Sequence, residues 1–188
     1  NSWHPAPAWS TDAVHLWWSP HADDAAPRAR RARVDALLRR VLASYVELGP
    51  SELRFGRESR GRPFLRHPHA PDFNLSDTRG GSLVAVAARG RVGIDLERTD
   101  RLPPHRKLAR RYFCAVEAEA LEAMSEAQAR RAFLHLWTAK EASCKCTGTG
   151  IYGRLSAWGF DPLSDTPRVL TLPEEAGRLR ERVLADPG

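Results

Sequence analysis

The clearest periodic stretch in the first half of the chain runs from Val34 to Val46, where Val34, Leu37, Leu38, Val41, Leu42 and Tyr45 recur at helical spacing until Gly49-Pro50. Apolar residues three and four apart line one face of a helix, so this segment predicts a helix packed on a sheet. Ahead of it, Ala13–Trp18 is short, aromatic and β-prone and predicts a first strand, followed by a loop rich in Pro, Asp and Ala. Leu53–Phe55 predicts another short strand, 56–63 is rich in turn formers, and Phe73–Ser76 predicts a short extended segment running into a loop, Asp77–Gly81. Ser82–Ala88 and Arg91–Leu96 read as two apolar strands, with Arg89-Gly90 between them as a tight hairpin turn. Beyond Pro103-Pro104 the pattern becomes helical: Lys107–Tyr112, Val116–Met124, and a long amphipathic helix from about Glu126 to Cys146. Ala157–Phe160 and Arg168–Leu172 predict closing strands, and Glu174–Leu184 a last helix. The change from mostly strand to mostly helix places a boundary near residue 90, giving an α+β fold with sub-domains 1–90 and 91–188.

Composition narrows the class. At 188 residues and 42% hydrophobic, the chain is long enough for one substantial core or two smaller ones, and is not disordered. No apolar run approaches the roughly 20 residues of a membrane-spanning helix, and the N-terminal residues lack the basic-then-apolar pattern of a signal peptide. The expectation is a soluble cytoplasmic protein. Cys114, Cys144 and Cys146 have no zinc-type spacing and read as buried or free thiols. Twenty-nine Lys+Arg against 23 Asp+Glu give +6, which favours an anionic partner: a polyphosphate cofactor, an acidic protein or nucleic acid. The six arginines between Arg28 and Arg40 read as a solvated face and loop with some capacity for phosphate. No helix-turn-helix, RNP or zinc motif supports the nucleic-acid alternative.

Two segments carry candidate chemistry. In Val92-Gly93-Ile94-Asp95-Leu96-Glu97, strand alternation puts Asp95 and Glu97 on one side, about 7 Å apart, and Ile94 and Leu96 on the other. Both carboxylates can reach one hard cation, although D-x-E also arises on an ordinary solvent-facing strand. In the long helix, Phe133, Trp137, Lys140, Glu141 and Cys144 share a stripe, with Lys145 one turn beyond Glu141. Taken alone, Glu141 and Lys145 read equally as an exposed i,i+4 ion pair.

The ordered set V-G-I-D-L-E (92–97), F-C-x-x-E (113–117) and W-T-A-K-E-A-x-x-K (137–145) resembles the signature of the 4′-phosphopantetheinyl transferase superfamily. Gly61-Arg62-Pro63 and Phe73-Asn74-Leu75-Ser76 resemble the two N-terminal motifs of its Sfp type, and the likeness spans roughly residues 13–172. The resemblance implies a monomer of two similar α+β halves related by a pseudo-twofold, with coenzyme A as substrate. It further implies transfer of 4′-phosphopantetheine from coenzyme A to a serine of an apo acyl or peptidyl carrier protein of fatty-acid, polyketide or nonribosomal-peptide synthesis. Adenosine 3′,5′-bisphosphate is released. By the same likeness, Asp95, Glu97 and Glu141 hold Mg²⁺, with Mn²⁺ as the alternative. Glu141 and Lys145 are catalytic, Glu141 as the general base. Arg39, Arg62, Ser76 and Lys145 contact coenzyme A, Arg62 at its 3′-phosphate and Ser76 at its diphosphate, while Trp137 packs. Neither nucleic acid nor membrane is expected as a partner.

The chain departs from the family pattern at Asp77, where F-N-x-S is ordinarily followed by histidine. Asp77 is expected either to repel a diphosphate or, preferably, to serve as a turn residue. The 21–33 region also reads as shorter than in relatives, and the end, Leu184–Gly188, as truncated. A relative that binds carrier protein or nucleotide without turnover is the other class of reading, against which the retained Asp95, Glu97, Glu141 and Lys145 argue.

Overall fold

The computed structural model describes residues 12–22, 26–150 and 155–176. The chain divides into two compact units, Asn1–Leu96 and Glu97–Gly188. The division falls after Leu96, where the sequence pattern places it after residue 90.

The first unit is a three-stranded antiparallel sheet with one long helix. Strand β1 (Val14–Pro20) pairs with β5 (Gly81–Ala87), which pairs in turn with β4 (Asp72–Thr78); β2 (Phe55–Arg57) and β3 (Pro63–Leu65) form a separate hairpin. Registers Trp17↔Val84 and Leu75↔Val84 put Trp17, Val84 and Leu75 on one face together with Phe73 and Val86. On this side lies the helix α1 (Pro27–Val46), whose Val41 and Leu42 are fully buried. The helix begins well ahead of the predicted Val34 because Pro27 occupies its first turn, where a missing N–H costs nothing. The arginines from Arg28 to Arg33 therefore ride on a helix and not in a loop. Tyr45 ties α1 to the sheet: its hydroxyl accepts from Trp17 Nε1 at 2.8 Å and pairs with His15 Nδ1 at 2.9 Å.

The hairpin turn is Arg79-Gly80, joining β4 to β5 through the register Thr78↔Gly81. The expected turn at Arg89-Gly90 does not make a hairpin, and 91–98 belongs to no strand or helix. Both glycines have positive φ, 89° and 76°. The two Arg-Gly pairs are locally alike, and strand pairing alone distinguishes them.

The second unit packs α2 (His105–Tyr112), α3 (Ala115–Ala123) and α4 (Glu126–Thr147) with a two-stranded sheet, β6 (Gly159–Phe160) and β7 (Val169–Thr171). Its core gathers Phe113, Leu121, Phe133, Leu136, Cys144, Leu155, Trp158 and Phe160. Helix α4 opens on a capping box, Ser125 with Gln128, and closes on Gly148 at φ 69°, whose N–H returns to the carbonyls of Cys144 and Lys145. Leu155–Ala157 is a 3-10 turn ahead of β6, so the predicted strand Ala157–Phe160 begins later. Glu174–Ala176 is a second 3-10 turn, and the rest of the predicted terminal helix lies outside the described residues, as does Leu184–Gly188. The three cysteines are free thiols. Among the described residues, no helix is long and apolar enough to cross a membrane.

Candidate functional site

Asp95 belongs to the first unit, in the extended segment that follows β5. That segment runs beside β4, held by side chains. The N–H of Val92 donates to Asp72 Oδ2 at 2.7 Å, that of Ile94 to Asn74 Oδ1 at 3.1 Å, and that of Leu96 to Ser76 Oγ at 3.1 Å. The predicted strand is thus replaced by an extended strip bonded to side chains, which keeps the alternation that made it read as a strand. Ser76 also donates its hydroxyl to Asp95 Oδ1 at 2.9 Å. Arg62, expected to meet a phosphate, is 7% exposed and pairs with Asp72 at 2.7 Å. It also donates to the carbonyls of Phe73 and Val92 at 3.2 and 2.9 Å.

Also within the first unit is a cavity of about 800 Å³ whose lining includes Arg30, Arg31, Arg33, Arg39, Arg57 and Arg79 against the acids Asp35 and Asp77. Its walls are cationic, a setting for an anionic ligand. Arg39 is held there by Asp35 at 2.8 Å, by the carbonyls of Pro50 and Leu53 at 3.2 and 3.1 Å, and by stacking over Phe55. Asp77 is neither a turn residue nor an unpaired anion. It lies in β4 on the helix side, where Ser82 Oγ donates to it at 2.5 Å, Arg30 pairs with it and His21 Nε2 stands at 3.2 Å. Burial acts to raise the Asp77 pKa, but the hydrogen bonds from Ser82, Arg30 and His21 and the Arg30 charge outweigh it and hold the carboxyl below its ordinary value.

In the second unit, α4 turns Phe133, Lys140 and Cys144 inward, while Glu141 and Lys145 are half-buried. Trp137 packs among Tyr112, Phe113 and Phe133, with ring centroids 6.1, 6.3 and 5.5 Å away. Glu97 pairs with Arg101. Among the described residues, no three His, Cys, Asp or Glu side chains gather into a metal-holding group. The expected ligands are divided, Asp95 in the first unit and Glu97 and Glu141 in the second.

A family model of the 4′-phosphopantetheinyl transferase superfamily matches residues 91–184. The 4′-phosphopantetheinyl transferase HetI of Nostoc sp. is 33% identical over 181 residues, covering 80% of this chain and 76% of the relative. The chain belongs to the 4′-phosphopantetheinyl transferase superfamily. A putative 4′-phosphopantetheinyl transferase of Synechocystis sp. is 36% identical over 121 residues, 63% of this chain and 49% of the relative. The 4′-phosphopantetheinyl transferase Sfp of Bacillus subtilis is 29% identical over 141 residues, 74% of this chain and 61% of the relative, which supports the Sfp-type relation. The chain therefore spans about half the length of the Synechocystis relative and less than two thirds of Sfp.

Within this member of the superfamily, two residues quoted in the sequence motifs had no role assigned to them. Glu117, the acid of F-C-x-x-E, and Lys140, the first lysine of the helix motif, are both fully buried and paired at 2.7 Å. Glu117 also accepts the N–H groups of Cys114 at 3.1 Å and Phe160 at 2.8 Å. Lys140 donates to the carbonyl of Leu155 at 3.0 Å and to that of Trp158. Burial holds Lys140 below the ordinary lysine range, against Glu117, which acts to raise it. The pair fastens α3, α4, the 3-10 turn and β6 at one point. The three-residue step from Cys114 to Glu117, an N-cap to N3 spacing, was the readable signal.

Proposed function

We propose that this protein transfers the 4′-phosphopantetheine group of coenzyme A to a serine of an apo acyl or peptidyl carrier protein and releases adenosine 3′,5′-bisphosphate. The observation that carries the reading is that a member of this superfamily keeps Asp95, Glu97, Glu141 and Lys145 together in its ordered motifs. The serine oxygen bonds to the β-phosphorus, the phosphorus–oxygen bond to the departing bisphosphate breaks, and Glu141 takes the serine proton. Lys145, one helical turn on, supports charge on the phosphate oxygens. The arginine-lined cavity, Arg39 included, supports seating the nucleotide end of coenzyme A in the first unit.

Asp95, Glu97 and Glu141 offer the hard oxygen donors that suit Mg²⁺ or Mn²⁺ when shared with phosphate oxygens and water, and the Ser76 hydroxyl already orients Asp95. Such an ion would neutralise charge developing on the transferred phosphoryl group. On the same family reading, the units are pseudo-twofold halves of a monomer that works in the cytoplasm. The test is incubation with a panel of apo carrier proteins, coenzyme A and Mg²⁺, read by intact mass. A gain of one phosphopantetheinyl group on at least one carrier is expected. No gain on any carrier, with a known transferase active in parallel, overturns the reading.

A further inference from the structure

We propose that Asp72, Asn74 and Ser76 are positioning residues, a ladder of side-chain acceptors that sets the register of 92–97 and so the place at which Asp95 is presented. The inference rests on the reading of Asp95 as a metal ligand of the transferase. The three residues alternate along β4 and so project from one face of the sheet, opposite to the face that Phe73 and Leu75 share with α1. The donors they meet alternate in the same sense: Val92, Ile94 and Leu96. Both sets advance in the same direction along the chain, so β4 and the 92–97 segment run parallel.

A strand bonded to a neighbouring backbone can slip by two residues and find an equivalent partner. This one cannot slip so freely, because its acceptors are a carboxylate, an amide and a hydroxyl, each at its own height. The upstream rung is fastened twice. Asp72 receives the Val92 N–H and the Arg62 guanidinium, while Arg62 also reaches the Val92 carbonyl, so both polar groups of that peptide strip are held. The downstream rung reaches the functional carboxylate itself: the one hydroxyl proton of Ser76 points to Asp95, and its oxygen accepts from Leu96. Asn74 and Ser76 are each 6% exposed, so these bonds are made away from competing water. A one-residue slip would send the Asp95 side chain to the opposite side. On this geometry Ser76 acts on Asp95 and not on the diphosphate of coenzyme A.

The test compares the parent with Asn74→Ala, Ser76→Ala and the hydroxyl-keeping Ser76→Thr. Three readouts are used: amide hydrogen exchange, Mn²⁺ binding without substrate, and coenzyme A binding without metal. Asn74→Ala should speed exchange at Ile94, and Ser76→Ala at Leu96, by about tenfold or more, with the β5 amides unchanged. Both alanine variants should weaken Mn²⁺ binding severalfold and leave metal-free coenzyme A affinity unaltered, while Ser76→Thr keeps parental values. Unchanged exchange overturns the ladder; faster exchange with parental Mn²⁺ affinity overturns its positioning role; and Mn²⁺ failing to bind the parent overturns both the metal reading and this one. A loss of coenzyme A affinity in Ser76→Ala, with exchange and Mn²⁺ binding intact, would make Ser76 a diphosphate contact instead. If exchange and Mn²⁺ binding behave as expected but no carrier is modified, the transferase reading falls and the ladder stands.

Discussion

At the scale of the residue, Lys140 and Asp77 show how differently a charge is held in the two units. Lys140 is sealed against Glu117 with every neighbour supplied by protein. Removing one partner of such a pair leaves the other charge buried without compensation, at a cost of about 3–5 kcal/mol, whereas replacing both is far cheaper. Lys140→Met should therefore lower the denaturation midpoint strongly, and adding Glu117→Leu should recover part of the loss. A double variant no more stable than Lys140→Met would argue that the pair is not coupled. Asp77 faces Ser82, Arg30 and His21, and its folded pKa lies below the ordinary 3.8. A depressed carboxylate stabilises the fold above its unfolded pKa and loses that contribution as pH falls through the lower folded value. The parent should thus lose stability below about pH 4 in a way that Asp77→Asn does not, as read by urea titrations across the acid range. Asp77→His would remove the acceptor of these three donors and should weaken the fold.

At the scale of the element, the helices were legible because a 3.6-residue stripe survives in any context: α2, α3 and α4 begin and end within a residue or two of the pattern. Their caps explain the ends. Gly148 takes a left-handed conformation and returns two hydrogen bonds to α4, so Gly148→Ala should cost about 1 kcal/mol in thermal or chemical unfolding. A neutral effect would mean that the helix end is held by Thr147 and Thr149 alone. Less of the extended structure could be read. Arg79-Gly80 and Arg89-Gly90 offer the same dipeptide, and the 92–97 segment has a strand's alternation without a strand's partner. Asp95 and Glu97 stand out in the sequence only once their spacing is joined to the motifs around it, and Ser76's tie to Asp95 depends on β4 and 92–97 running side by side. That is a long-range fact with no local mark.

For the whole molecule, two separate cores and a +6 net charge frame what function can ask of the chain. The unit boundary falls between Asp95 and Glu97, so the two carboxylates read from one short motif belong to different folding neighbourhoods while being only two residues apart. The cationic cavity lies within the first. If it holds the nucleotide end of coenzyme A, binding is electrostatic enough to be screened: raising ionic strength from about 0.1 to 1 M shortens the Debye length from about 10 to 3 Å. Coenzyme A affinity, measured by calorimetry, should fall severalfold over that range. Insensitivity to salt would remove the cavity from consideration.

The side-chain ladder also bears on how this protein could change over generations. Along β4, two alphabets are interleaved: positions 73 and 75 answer to packing and would accept apolar exchanges, while 72, 74 and 76 answer to acceptor chemistry and would accept only groups of matching reach. Drift at one rung could be repaired only by a substitution that restores an oxygen at the same height. The strand would therefore carry a two-residue rhythm of permitted replacements that ordinary β-propensity does not describe.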